Sequence, residues 1–217
     1  MSDRLEIRRL GLGPFQANCF LVRRPGAAEA LVIDPGAEAD RVSGALSEWD
    51  AVPVAILLTH AHADHVGAVA DLRDEVDAPI YLHPADRSLY DRVPEQGAAF
   101  GIALRRPPTP DEELRDGQRL ELAGFALEVR HAPGHSPGGV VLVSGDDAFV
   151  GDCLFQGSIG RTDLPGADAA TLLRSIRERI LTLPDDTVLW PGHGSETTVR
   201  REASTNPFLT GAFGWSG

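Results

Sequence analysis

Short apolar runs separated by turn residues fill the first part of the chain. The runs are residues 5–10, 18–22 and 30–33. Their connections are too short for crossovers, so they predict antiparallel β-strands. A helix is predicted after Gly36, because Val42, Leu46 and Trp49 recur on one face at helical spacing.

An uninterrupted apolar run, VAILL at residues 54–58, predicts a buried strand. After His65 the apolar positions recur at helical spacing instead, at Val66, Val69 and Leu72. The residues between the two patterns therefore lie in a tight turn that leads from the end of a strand into a helix.

The middle of the chain is less regular. A short strand is predicted at residues 79–83, followed by a short helix at residues 84–90 with a proline in its first turn. Residues 93–113 are rich in Pro, Gly and Arg and show no clear period. We predict a long surface loop there, close to the functional site, since long loops in compact domains are usually functional or mobile.

The pattern of strands returns in the second half. Strands are predicted at residues 118–122, 125–130, 139–143, 148–150 and 188–190. Residues 145–147 form the predicted hairpin turn between the third and fourth of these strands. Between the last two strands, Asp168 is predicted to cap a helix whose apolar residues keep one face.

Four potential metal ligands follow the buried strand directly. They are His60, His62, Asp64 and His65, at H-x-H-x-D-H spacing. A single His near a strand end is usually a surface or core residue. Three imidazoles and a carboxylate together have no packing role, because burying them unpaired would cost several kcal/mol. In a tight turn, alternate residues can converge on one point, as divalent metal coordination requires.

Three further stretches place a potential ligand just after an apolar run, among glycines that allow tight turns. The stretches are HAPGHSPG at residues 131–138, GDCLF at 151–155 and PGHG at 191–194. The candidates that they add are His135, Asp152 and His193. Each stretch alone is a weak signal, but together with the first cluster they predict a metal site.

Composition limits the classes of protein. A chain of 217 residues is predicted to form one domain, residues 1–217. The net charge of -12 disfavours a nucleic-acid partner, and no apolar run approaches the roughly 20 residues of a membrane span. The charged start lacks the apolar core of a secretory signal, which favours a cytoplasmic protein. Cys19 and Cys153 form no CxxC pair, consistent with a reducing compartment.

Taken together, the motifs resemble the metallo-β-lactamase superfamily over nearly the whole chain, from residue 18 to His193. The resemblance implies an α+β fold, a four-layer αββα sandwich with metals at one edge between the two sheets. It also implies a division of the candidates: His60, His62 and His135 bind one metal, Asp64, His65 and His193 bind a second, and Asp152 bridges the two. Structural or supporting roles are expected for His83 and His131.

Within the superfamily, residues 151–163 and 205–209 resemble short bacterial glyoxalase II-like (hydroxyacylglutathione hydrolase-like) thioesterases. The resemblance implies hydrolysis of S-lactoylglutathione or a related acyl-thiol by a metal-bridging hydroxide, which Asp64 could orient. Two divalent ions are expected, taken as zinc, although iron or manganese would also suit these ligands. The partner is thus a small-molecule acyl-thiol, while the oligomeric state is left open.

Substrate recognition is less well specified. Arg161 is the candidate for holding a substrate carboxylate, since a guanidinium offers a bidentate fork. The competing interpretation is a surface ion pair with Asp163 or Asp168. Longer glyoxalase II enzymes continue into a helical segment that helps to hold glutathione, whereas this chain ends at Gly217. We therefore expect loose recognition of the thiol.

Two alternatives use the same motifs. Persulfide dioxygenases resemble the chain at residues 60–65 and 160–163, and they hold a single iron with two His and one Asp. In the other alternative, metals merely stabilise the fold, but two metals sharing these ligands would leave room for a water, unlike a closed structural zinc site. Hydrolysis in this manner needs no side-chain nucleophile, and Cys153 is predicted to be a buried structural thiol.

Overall fold

The computed structural model describes residues 4–211. The expectations that rest on the start of the chain and on Gly217 lie outside the described residues. One six-stranded sheet contains, in spatial as well as chain order, β1 (Glu6–Leu12), β2 (Ala17–Arg23), β3 (Glu29–Ile33), β4 (Val52–Leu57), β5 (Ile80–Leu82) and β6 (Glu112–Glu113). The first three strands are antiparallel, as predicted, and β3 to β6 are parallel because longer crossovers connect them.

The second half of the chain forms the other sheet. Its strands and a small separate hairpin are β7 (Arg119–Leu122), β8 (Phe125–His131), β9 (Val140–Ser144), β10 (Asp147–Gly151), the hairpin strands β11 (Leu154–Phe155) and β12 (Ser158–Ile159), β13 (Val188–Pro191) and β14 (Thr197–Thr198). The spatial order of the sheet is β14-β13-β10-β9-β8-β7. Only the pair β10 and β13 is parallel.

Helices cover the outer faces. They are α1 (Ala39–Glu48), α2 (Ala63–Val66), α3 (Val69–Glu75), α4 (Arg87–Tyr90), α5 (Val93–Ala99), α6 (Ala169–Ser175) and α7 (Val199–Thr205). A 3-10 turn, Pro84–Asp86, leads into α4, and a π-helical segment, Ile176–Ile180, continues α6. Asp168 caps α6 as predicted, since its carboxylate accepts from Thr171 N. Within residues 4–211, no helix has the length and apolar character needed to cross a bilayer.

Alternation of side chains in the strands produces the layers. In β3, Ala30 and Val32 face α1 and the neighbouring helices. Leu31 and Ile33 face the other way and pack against the second sheet, for example near Phe149. A third apolar cluster lies between the second sheet and α6. Because apolar residues point to both faces of each sheet, each needs a sheet on one side and helices on the other. The predicted α+β, four-layer αββα sandwich is confirmed.

Two local predictions need correction. The helix expected after His65 is two short helices, α2 and α3, and α2 begins earlier, at Ala63. The prediction of an irregular loop over residues 93–113 is wrong in part, because the segment contains α5 and ends in β6. Periodicity missed α5 because it is one short helix that buries only Val93 and Gly97. The prediction that this segment lies close to the site is confirmed, because Gln96 in α5 accepts from Ala63 N and donates to the Ala61 carbonyl.

Candidate metal centre

The candidate ligands meet where strands from both sheets end. His60 and Asp64 follow β4, and His135 lies in the turn after β8. Asp152 and His193 follow β10 and β13, two neighbouring parallel strands whose carboxyl ends lie side by side. Backbone pairing between the sheets closes this edge, since Asn18 N donates to the Gly192 carbonyl at 2.7 Å.

His60, His62 and His135 form the first ligand group. Their facing nitrogens lie within 4.8 Å of one another, and His62 Nδ1 is 2.8 Å from His135 Nε2. The outer nitrogens of His60 and His135 have partners: His60 Nδ1 lies 3.1 Å from Thr59 Oγ1, and His135 Nδ1 lies 2.9 Å from the Arg161 carbonyl oxygen. Each partner orients a ring so that its other nitrogen faces the shared space.

Asp64, His65 and His193 form the second ligand group, whose ligand atoms also lie within 4.8 Å of one another. Asp64 Oδ2 lies 3.2 Å from His193 Nε2 and 3.8 Å from His65 Nε2. The outer nitrogen of His65, Nδ1, contacts Asp34 Oδ2 at 3.1 Å. Asp64 and His65 sit in the first turn of α2, which turns both side chains toward His193.

Asp152 lies between the two groups. Its Oδ2 is 3.6 Å from Nε2 of both His135 and His193, and its Oδ1 is 3.4 Å from His65 Nε2. A Cβ at position 192 would lie 2.2 Å from Asp152 Oδ1, so only glycine fits beside this carboxylate. That close approach is the reason for the glycine before His193.

The residues present suit divalent metal ions. His60 Nε2, His65 Nε2 and Asp152 Oδ1 are buried and have no hydrogen-bond partner. Leaving such atoms unpaired costs about 1–3 kcal/mol each. His60 belongs to the first group, His65 to the second, and Asp152 lies between them, so cations held by the two groups would satisfy all three atoms. Imidazole nitrogens and carboxylate oxygens are the donors that zinc, iron and manganese accept.

Protonation differs between the groups. Burial, together with the neighbouring histidines, lowers the pKa of His60 well below its usual value, and burial and His135 lower the pKa of His62 to about 3. For His65, burial acts against protonation, but Asp152, Asp64 and Asp34 together raise the pKa to about 10. Metals bind neutral imidazole, so His60 and His62 are ready for an ion, whereas His65 must release a proton.

The sequence analysis missed two buried carboxylates behind the ligands. Asp34, with a left-handed φ of 53°, accepts from Thr59 N at 2.7 Å and from Thr59 Oγ1 at 2.5 Å, besides contacting His65. Through Thr59 and His65 it therefore supports both groups. Its place directly at the end of the run at residues 30–33, in an Asp-Pro-Gly turn, was the available signal.

Asp86 is the second missed carboxylate. It accepts hydrogen bonds from Ala61 N at 2.9 Å, Ser136 Oγ at 2.8 Å and Gly138 N at 2.5 Å. These bonds join the turn that carries His60 and His62 to the turn that carries His135. Asp86 thus supports the first group alone, and nothing in the local sequence marks it apart from a surface residue of a short helix.

Arg161 and Cys153 lie beside the ligand groups without joining them. The Arg161 guanidinium pairs with both carboxylate oxygens of Asp163 at 2.7 Å and is 58% exposed, which is the surface ion pair considered as its competing interpretation. Cys153 is buried and its Sγ donates to the Ala132 carbonyl at 3.4 Å. Burial raises its pKa to about 12, so it is the inert thiol predicted.

The two remaining histidines lie outside both groups. His83 and His131 stack face to face, with ring centroids 4.1 Å apart and planes within 8° of parallel. His131 Nε2 lies 2.9 Å from the Pro137 carbonyl oxygen, in the turn that carries His135. The pair therefore packs behind the first group.

Comparison with known sequences agrees with this geometry. The sequence profile of the metallo-beta-lactamase superfamily matches residues 12–193. Probable metallo-hydrolase YqgX of Bacillus subtilis is 41% identical over 210 residues, covering 95% of this chain and 99% of that protein. Hydroxyacylglutathione hydrolase GloC of Haemophilus influenzae is 40% identical over 209 residues, covering 94% of this chain and 98% of the relative.

Solved structures share the fold. BLEG-1 B3 metallo-beta-lactamase superposes with a TM-score of 0.89 at 40% identity, covering 95% of this chain and 100% of that one. TTHA1623 in a di-iron-bound form superposes with a TM-score of 0.87 at 46% identity, covering 93% of this chain and 100% of that one. ETHE1 from Myxococcus xanthus is more distant, with a TM-score of 0.78 at 25% identity, covering 95% of this chain and 85% of that one. The chain therefore belongs to the metallo-beta-lactamase superfamily.

Proposed function

We propose that the protein is a metal-dependent thioester hydrolase that acts on S-lactoylglutathione or a related acyl-thiol. The observation that carries the proposal is the position of Asp152, which lies within 3.6 Å of nitrogens from both ligand groups. A carboxylate shared in this way fits two adjacent cations rather than one. The 40% identity to a relative named hydroxyacylglutathione hydrolase supports the choice of substrate.

In this proposal His60, His62 and His135 hold one ion, and Asp64, His65 and His193 hold the other, with Asp152 shared. Two divalent ions so placed supply an activated water and polarise a carbonyl oxygen at neutral pH. We propose zinc, which these ligands bind as readily as they bind iron or manganese. The di-iron form of TTHA1623, at 46% identity, makes iron the ion to test beside it.

The protein's own residues complete the reaction. The Asp64 side chain is 23% exposed at the mouth of the centre, where it would accept a hydrogen bond from the attacking water and orient it. The nearby thiol, Cys153, is buried and protonated, so it supplies no nucleophile. The leaving thiolate, with a pKa of about 8.5, departs without a general acid.

Arg161 would hold the carboxylate-bearing thiol half of the substrate. Its side chain is exposed beside the first group, and its backbone carbonyl contacts His135. To bind the substrate, the guanidinium would exchange Asp163 for a substrate carboxylate. This exchange costs little, because exposed ion pairs contribute little in water.

The test measures metal content and turnover on the same preparation. Two equivalents of metal and steady hydrolysis of S-lactoylglutathione, without oxygen uptake, are expected. A single iron, with oxygen uptake on glutathione persulfide and no thioester cleavage, would assign the protein to the persulfide dioxygenases instead. The distant likeness to ETHE1 gives that alternative no better support than hydrolysis.

A further inference from the structure

An apolar cavity lies beside the second ligand group. Its walls include Phe15, Phe100, Ile102 and Leu104, and within residues 4–211 the single charged residue in its lining is Asp64. The cavity is therefore apolar, and it adjoins the candidate metal centre at Asp64. Such a combination of an apolar pocket with a few convergent polar groups is typical of small-molecule sites.

Two exposed aromatic rings line the cavity. Phe15 is 40% and Phe100 is 59% exposed, and their ring centroids are 5.1 Å apart at 80°. Among residues 4–211, the large apolar side chains that are exposed are these two and Val52. Two of the three thus meet at one place, beside the ligands, and apolar exposure concentrated in this way marks a binding surface.

The cavity is held in a fixed position relative to the ligands. One wall comes from the turn between β1 and β2, and the other comes from the end of α5 and the residues after it. A Cβ at Gly97 would lie 2.8 Å from the Leu104 side chain, so the chain folds back tightly on α5. Gln96 bonds α5 to Ala61 and Ala63 on either side of His62.

We propose that this cavity binds an apolar acyl group of the thioester, so that the enzyme prefers aliphatic acyl chains to the small, hydroxylated lactoyl group. The inference rests on the proposed hydrolase activity and narrows its substrate class. The acyl end is assigned by charge. Among the described residues, the cavity lining contains no cationic side chain that could pair with the carboxylates of a thiol such as glutathione, and its apolar walls favour an uncharged acyl group. Arg161 lies beside His135 in the other ligand group, where it suits that end.

The test compares acetyl-, butanoyl-, hexanoyl- and lactoylglutathione as substrates of the metal-loaded protein. Each added methylene up to hexanoyl is expected to raise kcat/KM about threefold, and hexanoyl should exceed lactoyl. Phe100→Ala should lower kcat/KM for hexanoyl about tenfold and for acetyl less than threefold, and Phe100→Leu should retain most of the preference. Val52→Ala is the matched control, since Val52 is 63% exposed and begins β4 at the end away from the ligands.

Binding of hexanoate and acetate, measured by calorimetry on the same variants, separates this inference from the proposed function. Hydrolysis that is equally fast for all acyl chains, or lowered equally for all of them by Phe100→Ala, would overturn the inference and leave the hydrolase intact. Tighter binding of hexanoate that depends on Phe100, without any thioester cleavage, would overturn the hydrolase and support the apolar pocket. Absence of both would overturn both.

Discussion

The two ligand groups differ in how completely the protein encloses them. In the first group, His60 and His135 are 2% and 5% exposed and His62 is half-buried. In the second, only His65 is fully buried, and the side chains of His193 and Asp64 are 29% and 23% exposed beside the apolar cavity. A buried, oriented group holds an ion tightly, whereas a group at the mouth can exchange its ion and meet the substrate. The ion held by the first group would then stay bound, whereas the ion held by the second group would exchange and contact the substrate.

Replacing Asp152 with Ala should have the largest effect, because this residue belongs to both groups. Repulsion between two cations would no longer be offset, so metal content should fall to one equivalent or less. kcat/KM for S-lactoylglutathione should fall at least about 100-fold. Asp186→Ala is the control, since the Asp186 side chain is 90% exposed. Two retained metals with normal turnover would show that Asp152 is not shared.

Asp86→Asn should affect one group only. The amide can accept from fewer of the donors Ala61 N, Ser136 Oγ and Gly138 N, so the turns that carry the first group should loosen. We expect the affinity for the more tightly bound metal to fall by about 10- to 100-fold, while the other affinity changes little. Asp34→Asn should weaken both, because Asp34 contacts His65 and, through Thr59, His60. If Asp86→Asn and Asp34→Asn lowered both metal affinities to the same extent, the two groups would not be supported separately.

Metal removal should proceed in two steps. A chelator has access to His193 and Asp64 but not to His60. The ion held by Asp64, His65 and His193 should therefore be removed before the ion held by the first group, and its affinity should be about tenfold weaker. Hydrolysis should stop after the first step, since it needs both ions. The measurement is metal content and turnover against dialysis time, and simultaneous loss of both ions would show one joint site.

The smallest expected effect is a pH dependence of folding stability caused by His83, which packs behind the first group. Burial and the neighbouring His131 lower the pKa of His83 to about 4, despite Asp116 and Glu113 nearby. Below its usual pKa of about 6.5, the unfolded chain therefore binds a proton that the folded chain resists. The stability contributed by neutral His83 is present above pH 6.5 and is lost as the pH falls toward 4. We expect a loss on the order of 1 kcal/mol after screening by solvent.

Urea unfolding of the metal-free protein at pH 7.5 and pH 4.5 measures this effect. The difference between wild type and His83→Gln isolates the stacked pair from the other titrating groups, because glutamine carries no charge at either pH. His83→Gln should lose less stability than wild type on acidification. An identical loss in both proteins would show that the stack does not resist protonation.

Much of this site could be predicted because its signals are local. The buried strand at residues 54–58 and the H-x-H-x-D-H turn are adjacent in the chain, and the structure places the turn directly after β4. Gly134 and Gly138 beside His135, and Gly192 beside His193, are needed because a Cβ there would collide with neighbouring residues, so they too are visible in the sequence. Dividing the candidates between two metals required the resemblance to a family, because spacing alone does not show which side chains from separate turns converge.

The tertiary structure alone decided the supports and the cavity. Asp86 reads as a solvated residue of a short helix, and only packing against residues 136–138 makes its buried carboxylate a link between two turns. Phe15 and Phe100 lie far apart in the chain, and neither belongs to a periodic pattern that would predict their contact. Periodicity and motifs record what neighbouring residues do together. Contacts between distant segments depend on how the two sheets and their turns pack, and the sequence determines these contacts only through the whole fold.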